Sequence, residues 1–340
     1  MRALVLVKEG AAEQAFDLQE LPTPKPGKGK VLIAVSHFGL NYADVMSRLG
    51  LYNDRPALPV ILGYEAVGVI KELGEGVTEY AIGDRVLAFT HFGGYADHVV
   101  TPALGLVKLT DDVPSEIAPA LATQYCTAWY AACMMMNLNA GDKVLIHAAA
   151  GGVGTALVQI AKWKGCEVFG TVGSDKKMDY LKSIGVDHAI NYRKVDFAEK
   201  IAAMLNNDRL DVAFDPVGGS TFKRSLQLLG SGGRIVTFGA SEWSSTKGGF
   251  IDKLKLAFGF GFLHPIGLLM KSRSVIGVNM LRIGENKPEY LAQAKREVFA
   301  HFQSGVLKPT IDNVYSYKEL AEAHTALEKR NTIGKVVVAW

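Results

Sequence analysis

The sequence predicts an α/β protein in two parts, an antiparallel β region and a doubly wound parallel sheet. Three observations predict it. The first third carries short β-branched runs punctuated by glycine and proline, which read as strands joined by turns. From Lys143 onward, short apolar runs alternate with helical patterns across short loops, as in a parallel sheet with crossover helices. Hydrophobic residues make up 49% of the 340 and charged residues 21%, a balance that excludes disorder and supplies an ample core.

In the first third, Ala3–Val7, Val31–Val35, Ala66–Glu72 and Arg85–Ala88 read as strands. The proline- and lysine-rich segment Pro22–Lys30 is a stiff solvated loop. The character changes near residue 120. Ile117–Gly141 carries no charge, and about 20 apolar residues suffice to cross a bilayer. Its Pro119, Thr123, Gln124, Thr127, Asn137 and Asn139 instead favour a buried helix pair.

Strands then follow at Lys143–Ala148, Glu167–Val172, His188–Tyr192, Leu210–Asp215 and Arg234–Gly239. Helices alternate with them at Gly154–Lys164, Asp175–Ile184, Phe197–Leu205 and Ser220–Leu229. Ser274–Met280 supplies a sixth strand at an edge, Pro288–Ser304 a long helix, and Thr332–Trp340 a strand that rejoins the first β region. A second apolar stretch, Leu256–Met270, is short for a span and is broken by glycines and Pro265. Lys253, Lys255, Lys271 and Arg273 flank it.

The 37 basic and 34 acidic residues nearly balance, which argues against a nucleic-acid partner. Cys126, Cys133 and Cys166 contain no Cys-x-x-Cys pair, so neither a zinc clip nor a disulfide framework is indicated, and a reducing, cytoplasmic setting is expected. Residues Arg2–Val7 read as a strand rather than a leader.

The strongest local signal is the run from Lys143 to Gly154, a strand leading into a small-residue turn and a helix. It nearly fits G-x-G-x-x-G, with Ala149 in place of the first glycine and Gly151 and Gly154 in the others. Gly151 lets backbone approach a diphosphate, Gly154 lets the helix pack on the sheet, and the N–H groups of Gly152, Val153 and Gly154 face the anion. A dinucleotide is therefore expected here. An NAD site would place an Asp or Glu at the end of the next strand. That strand ends instead in Val172 and Gly173, followed by Ser174, with Lys176 and Lys177 beyond. Asp175 suits a first-turn acid on the following helix. The pattern fits a 2′-phosphate, hence NADPH.

The segments Gly39–Asp44, Arg48–Tyr52, Leu62–Gly68, Gly83–Val86, Ala148–Gly154, Gly170–Gly173, Ile190–Arg193 and Asp215–Gly218 together resemble the medium-chain dehydrogenase/reductase superfamily, in its zinc-free quinone oxidoreductase (ζ-crystallin-like) branch. The resemblance implies a GroES-like catalytic domain over residues 1–123 and 288–340 and a Rossmann NADPH-binding domain over 124–287, with the nucleotide between them. It further implies that Lys177, Tyr192 and Arg330 join Gly173 and Ser174 around the 2′-phosphate. Asn41, Thr127, Tyr130, Val217, Phe238, Gly239, Val278, Asn279 and Met280 would complete the cofactor site, and the last Rossmann strand would pair in a homodimer. The insertion after Gly239 is similar to that of the synaptic-vesicle membrane protein group.

Zinc-dependent members of this superfamily bind catalytic zinc through a Cys near position 40, the His of a Gly-His-Glu and a later Cys. Here Gly39–Asn41 has no Cys, and Tyr64 stands in Gly63-Tyr-Glu65 where the histidine would be. Residues 86 to 110 hold no cysteine for a structural zinc lobe, and His91 and His98 there suit surface or hydrogen-bonded roles. Glu65, buried without metal, must be paired or neutral. Without a Lewis acid, the acceptor must draw hydride by its own electrophilicity, as quinones and α,β-unsaturated carbonyls do. A polar group near the carbonyl oxygen would assist, and Asn41, Tyr52 and Tyr64 are the candidates. The alternative for each tyrosine is a core residue with a satisfied hydroxyl. Asp44 and Arg48, at i and i+4, could simply pair with each other. Two further functions stay open: an enoyl-thioester reductase, and a cofactor-binding protein acting at lipid surfaces through residues 250–273, with Phe258, Phe260 and Phe262 among glycines.

Overall fold

The computed structural model describes residues 1–242, 259–261 and 263–340. The chain divides into two compact units. One comprises Met1–Cys126, Gly284–Phe299 and Pro309–Trp340; the other comprises Thr127–Ile283 and Ala300–Lys308.

In the first unit, β1 (Arg2–Leu6) pairs with β2 (Phe16–Glu20) and β4 (Val60–Ile61). The larger sheet holds β3 (Lys30–Leu40), β5 (Glu65–Leu73), β6 (Arg85–Phe89), β7 (His98–Pro102), β8 (Leu106–Lys108), β15 (Ile311–Ser316) and β16 (Lys335–Ala339). Its order is β15-β16-β3-β5-β6-β8, with β7 also on β3. Pairing is antiparallel except between β15 and β16. Leu6, Ile33, Phe38, Leu62 and Tyr95 are fully buried in its core, each worth about 1.5–3 kcal/mol by removal from water. The strand expected at Val31–Val35 runs on to Leu40 because β16 pairs with its second half, Val336 opposite Leu40 and Ala339 opposite His37. This partner is the strand expected to rejoin from Thr332–Trp340, here Lys335–Ala339; its register beside β3 is what a local pattern leaves open.

The second unit is a six-stranded parallel sheet of β9 (Lys143–Ile146), β10 (Glu167–Val172), β11 (His188–Asn191), β12 (Leu210–Asp215), β13 (Leu229–Thr237) and β14 (Ser274–Gly277). Its order, β11-β10-β9-β12-β13-β14, is that of a dinucleotide-binding sheet. Leu145, Phe169, Ala213 and Ile235 fill its centre. The strand expected to reach Ala148 stops at Ile146, and Ala148 turns left-handed at φ 50°. The strand expected at Arg234–Gly239 starts earlier, at Leu229, and ends at Thr237, opposite Asp215, the last residue of its partner β12.

The uncharged stretch forms helices Ala118–Leu121 and Thr123–Trp129 and a wider π turn over Tyr130–Met134, all largely buried. No described helix is long and apolar enough to cross a membrane. Of the second apolar stretch, residues 256–258 and Phe262 lie outside the described residues, as do Phe250, Lys253 and Lys255. Phe260 packs on Phe222, and Pro265–Lys271 is a short helix with Ile266, Leu269 and Met270 exposed.

Candidate active site

In the second unit, the turn after β9 leads through Gly151 into the helix Gly152–Trp163, which no side chain caps. A Cβ on Gly154 would stand 2.3 Å from the Ala148 carbonyl oxygen and 2.7 Å from Ala149 Cα. Only glycine lets the helix press this close to the turn. A Cβ on Gly151 would meet only the Ala148 carbonyl, at 3.3 Å, so its other side is open to an approaching diphosphate. The uncapped N–H groups of Gly152, Val153 and Gly154 and the helix dipole favour an anion there.

After β10, a Cβ on Gly173 would lie 2.8 Å from the Tyr192 hydroxyl and 3.3 Å from Arg193 Nε. Ser174 opens the helix Asp175–Ser183 with its hydroxyl making no cap bond, and Lys177 lies in that helix's first turn. Asp175 accepts from Lys194 at 2.5 Å and from Asn191 at 3.0 Å. The lysine holds its carboxyl below the usual range. The one carboxylate near the strand end is thus already neutralised, and the cationic surroundings suit a phosphate rather than a ribose hydroxyl. Arg193, which the sequence did not single out as a site residue, follows Tyr192 and shares its place beside Gly173.

The other expected cofactor residues of this unit also lie past strand ends. Val217 follows β12, its N–H donating to Asp215 Oδ1 at 2.7 Å. Burial raises the Asp215 carboxyl to about 6. Phe238 and Gly239 follow β13. Val278 follows β14, and the Asn279 side chain accepts from Leu281 N–H at 3.1 Å to start the helix Met280–Asn286. The carboxyl edge of a parallel sheet is where nucleotides bind. Thr127 and Tyr130 are buried, on the helix Thr123–Trp129 and in the π turn.

Arg330, Asn41, Tyr52 and Tyr64 belong to the first unit. Arg330 takes a left-handed φ of 56°, with its guanidinium 6.0 Å from the Tyr42 ring centre. Glu65 and Lys335 are both fully buried, and Lys335 Nζ lies 2.5 Å from Glu65 Oε1. Asn41 Nδ2 donates to Glu65 at 2.8 and 3.0 Å, its Oδ1 accepts from Lys335 Nζ at 2.9 Å, and Thr123 also donates to Glu65. The bond expected for Glu65 is therefore an ion pair inside a polar cluster. Lys335, 270 residues from Glu65 in sequence, was missed.

Tyr64 is nearly buried, with its ring 5.3 Å from that of Phe92. Its hydroxyl and that of Ser47 have no hydrogen-bond partner among the described residues. Burial first, then the nearby Asp44 and Tyr52, push the Tyr64 phenol well above its ordinary pKa. Tyr52 is half-buried. The expected Asp44–Arg48 pairing gives way to other partners. Asp44 accepts from the N–H groups of Asn41 and Gly63 at 2.8 and 3.3 Å, while Arg48 reaches the Gly10 carbonyl and Glu328. The helix N-terminus offers Asp44 N–H donors next to its own chain, and Arg48 is long enough to span to another element.

Residues 27–111 match the alcohol dehydrogenase GroES-like domain, and residues 152–296 match the zinc-binding dehydrogenase family. The synaptic vesicle membrane protein VAT-1 homolog of Rattus norvegicus is 32% identical over 99% of this chain and 84% of its own length. The 2-haloacrylate reductase of a Burkholderia species is 29% identical over 99% and 98%. Among solved structures, the Escherichia coli quinone oxidoreductase complexed with NADPH superposes with a TM-score of 0.88, at 29% identity over 100% of both chains. The CurK enoyl reductase superposes at 0.85, with 27% identity over 99% and 98%.

Proposed function

The chain belongs to the medium-chain dehydrogenase/reductase superfamily and is an NADPH-dependent oxidoreductase, and from that premise we propose that it reduces a quinone or an α,β-unsaturated carbonyl without zinc. The observation that carries the reading is the Glu65–Lys335–Asn41 cluster. The ammonium of Lys335 already neutralises Glu65. Asn41 and Tyr64 supply neither thiolate nor imidazole where zinc-dependent relatives use Cys and His. A neighbour named quinone oxidoreductase and a relative named 2-haloacrylate reductase support the same acceptor class.

Bound NADPH supplies the hydride. The protein supplies orientation and a polar environment. The first-turn N–H groups from Gly151 to Gly154 hold the diphosphate. Gly173, Ser174, Lys177, Tyr192 and Arg330 surround the 2′-phosphate, and Arg193 joins them. Thr127, Tyr130, Val217, Phe238, Gly239, Val278, Asn279 and Met280 flank the remainder. Asn41, its amide fixed by Glu65 and Lys335, holds the nicotinamide end in place. Tyr52 and Tyr64 offer hydroxyls to the acceptor's oxygen; after hydride transfer an enone takes one proton on its α carbon, whereas a quinone takes one proton from water to become the hydroquinone. Residues 1–123 and 288–340 form the catalytic domain and 124–287 the cofactor domain. The protein works in the cytoplasm as a homodimer joined through the edge strand β14.

The test is loss of NADPH absorbance with a panel of quinones and enones, before and after dialysis against a chelator. Equal turnover in both preparations is expected. Turnover abolished by chelation, or absent with the whole panel, overturns the reading. The enoyl-thioester alternative, favoured by the CurK enoyl reductase likeness, predicts a higher kcat/KM for crotonyl-coenzyme A than for any quinone. The lipid-surface alternative draws on exposed Ile266, Leu269 and Met270; it predicts liposome flotation that is lost on deleting residues 250–270.

A further inference from the structure

We propose that a cavity in the first unit, lined by Tyr80, Leu104, Leu106, Val107, Lys295 and Phe299, is a second ligand site that takes a carboxylate carried on an apolar chain. The cavity measures about 400 Å³, within the range of roughly 300–1,000 Å³ typical of small-molecule sites. Its walls are aliphatic and aromatic. None of its residues belongs to the cofactor site or to the Glu65 cluster.

Lys295 gives the cavity its chemistry. Its side chain comes from the helix Pro288–Gln303 and is 5% exposed. Its Nζ donates to the Leu104 carbonyl at 2.6 Å and lies 5.3 Å from the Phe89 ring centre. Among the described residues it has no carboxylate partner, so one of its three N–H bonds has a hydrogen-bond acceptor. A buried ammonium short of counter-charge is costly, and burial pulls this one down to about 8. Nearby Cys126 does not supply the charge, because burial pushes its thiol up to about 12 and keeps it neutral. The rim residues are Glu79 and Arg296, both exposed.

Lys295 and the Leu104 that it bonds both line the cavity, so a carboxylate there can take an N–H bond of this ammonium that Leu104 leaves free, and the apolar walls match a hydrocarbon chain. A doubly charged phosphate head fits less well, since Lys295 offers a single positive charge and too few donors for it. The site therefore selects a single negative charge on an apolar body.

The test uses the full chain and decanoate below its micelle concentration, with decanol as the uncharged probe. Saturable binding of one decanoate per chain by calorimetry is expected, unaffected by saturating NADPH or a quinone. Decanol should bind about tenfold more weakly or worse, as charge-assisted hydrogen bonds are lost. Lys295→Met should bring decanoate down to the decanol affinity. Ala292→Trp, which fills the cavity, should abolish decanoate binding while NADPH oxidation continues. Absent decanoate binding, equal affinities for the two probes in the parent protein, displacement by NADPH or quinone, or an unchanged affinity in Lys295→Met would each overturn the proposal. The two-probe comparison on the parent chain stands even if a variant fails to fold.

Discussion

Lys335 Nζ lies 2.5 Å from Glu65 Oε1 with neither side chain exposed to solvent, so the last strand of the chain neutralises a carboxylate on β5. Removing one member of such a pair leaves a buried charge. Lys335→Met should cost about 3–5 kcal/mol in urea unfolding. The double variant Glu65→Leu/Lys335→Met should recover a large part of that loss. Equal losses in the single and double variants would show that the pair itself is not what the single variant breaks.

The two glycines of the phosphate turn should separate fold from binding. Gly154→Ala meets backbone at 2.3 and 2.7 Å and should lower the melting temperature by several degrees, an overpacking cost of about 1–3 kcal/mol. Gly151→Ala meets one backbone atom, the Ala148 carbonyl oxygen at 3.3 Å, a contact that a shift of a few tenths of an ångström relieves. It should lose less melting temperature than Gly154→Ala while its KM for NADPH rises about tenfold, as the lost diphosphate contacts imply. Calorimetry together with steady-state kinetics distinguishes the two outcomes.

Coenzyme choice should rest on the strand ends after β10 and β11. Lys177→Ala and Arg193→Ala should each raise the KM for NADPH about tenfold, the worth of a charge-assisted phosphate contact. The KM for NADH should stay near its parent value. A matching rise for both coenzymes would place these side chains away from the 2′-phosphate.

Tyr64→Phe removes a buried hydroxyl that lacks a partner among the described residues. The variant should be more stable by about 1 kcal/mol in urea, because an unsatisfied buried polar group is a net cost. If the hydroxyl serves the acceptor's oxygen, kcat falls for an enone and for a quinone alike. Equal kcat values for the enone in parent and variant would leave Tyr64 a core residue.

Stability against pH follows from four buried groups. Burial holds His147 and His324 down to about 3 and raises Asp44 to about 7 and Asp215 to about 6. Between roughly pH 4 and 6 the unfolded chain binds protons on the histidines that the folded chain refuses, so their contribution grows with pH. The folded chain keeps protons on the aspartates that the unfolded chain releases, so their contribution shrinks with pH over the same window. The two opposed pairs offset each other, and His37, which burial also lowers, adds a further rising contribution. His324→Leu removes one rising contribution, and its stability should then fall with pH by at most about 1.4 kcal/mol per unit. Urea titrations at several pH values measure the slope.

The sheet of the second unit was legible because its signals are local. The strands Glu167–Val172 and Leu210–Asp215 and the helix Phe197–Leu205 have the expected ends, each set by its own apolar run and the turn beside it. Gly151 and Gly154 were legible for the same reason. What the sequence hid depends on distant partners. The second half of β3 is a strand because β16 arrives beside it. Lys335 looked like one lysine among many until the sheet brought it to Glu65. Lys295 sits in an amphipathic helix where a lysine ordinarily faces water, and only packing shows it enclosed.

The return of β16 to the centre of the first sheet sets an order of maturation. On the ribosome, Glu65 emerges long before the lysine that compensates it, and β3 waits with half an edge open. The interior stretch carrying the parallel sheet is mostly contiguous and can consolidate while the earlier segment is still incomplete. During synthesis the parallel sheet should therefore consolidate before the first sheet, which is completed only once β16 has emerged.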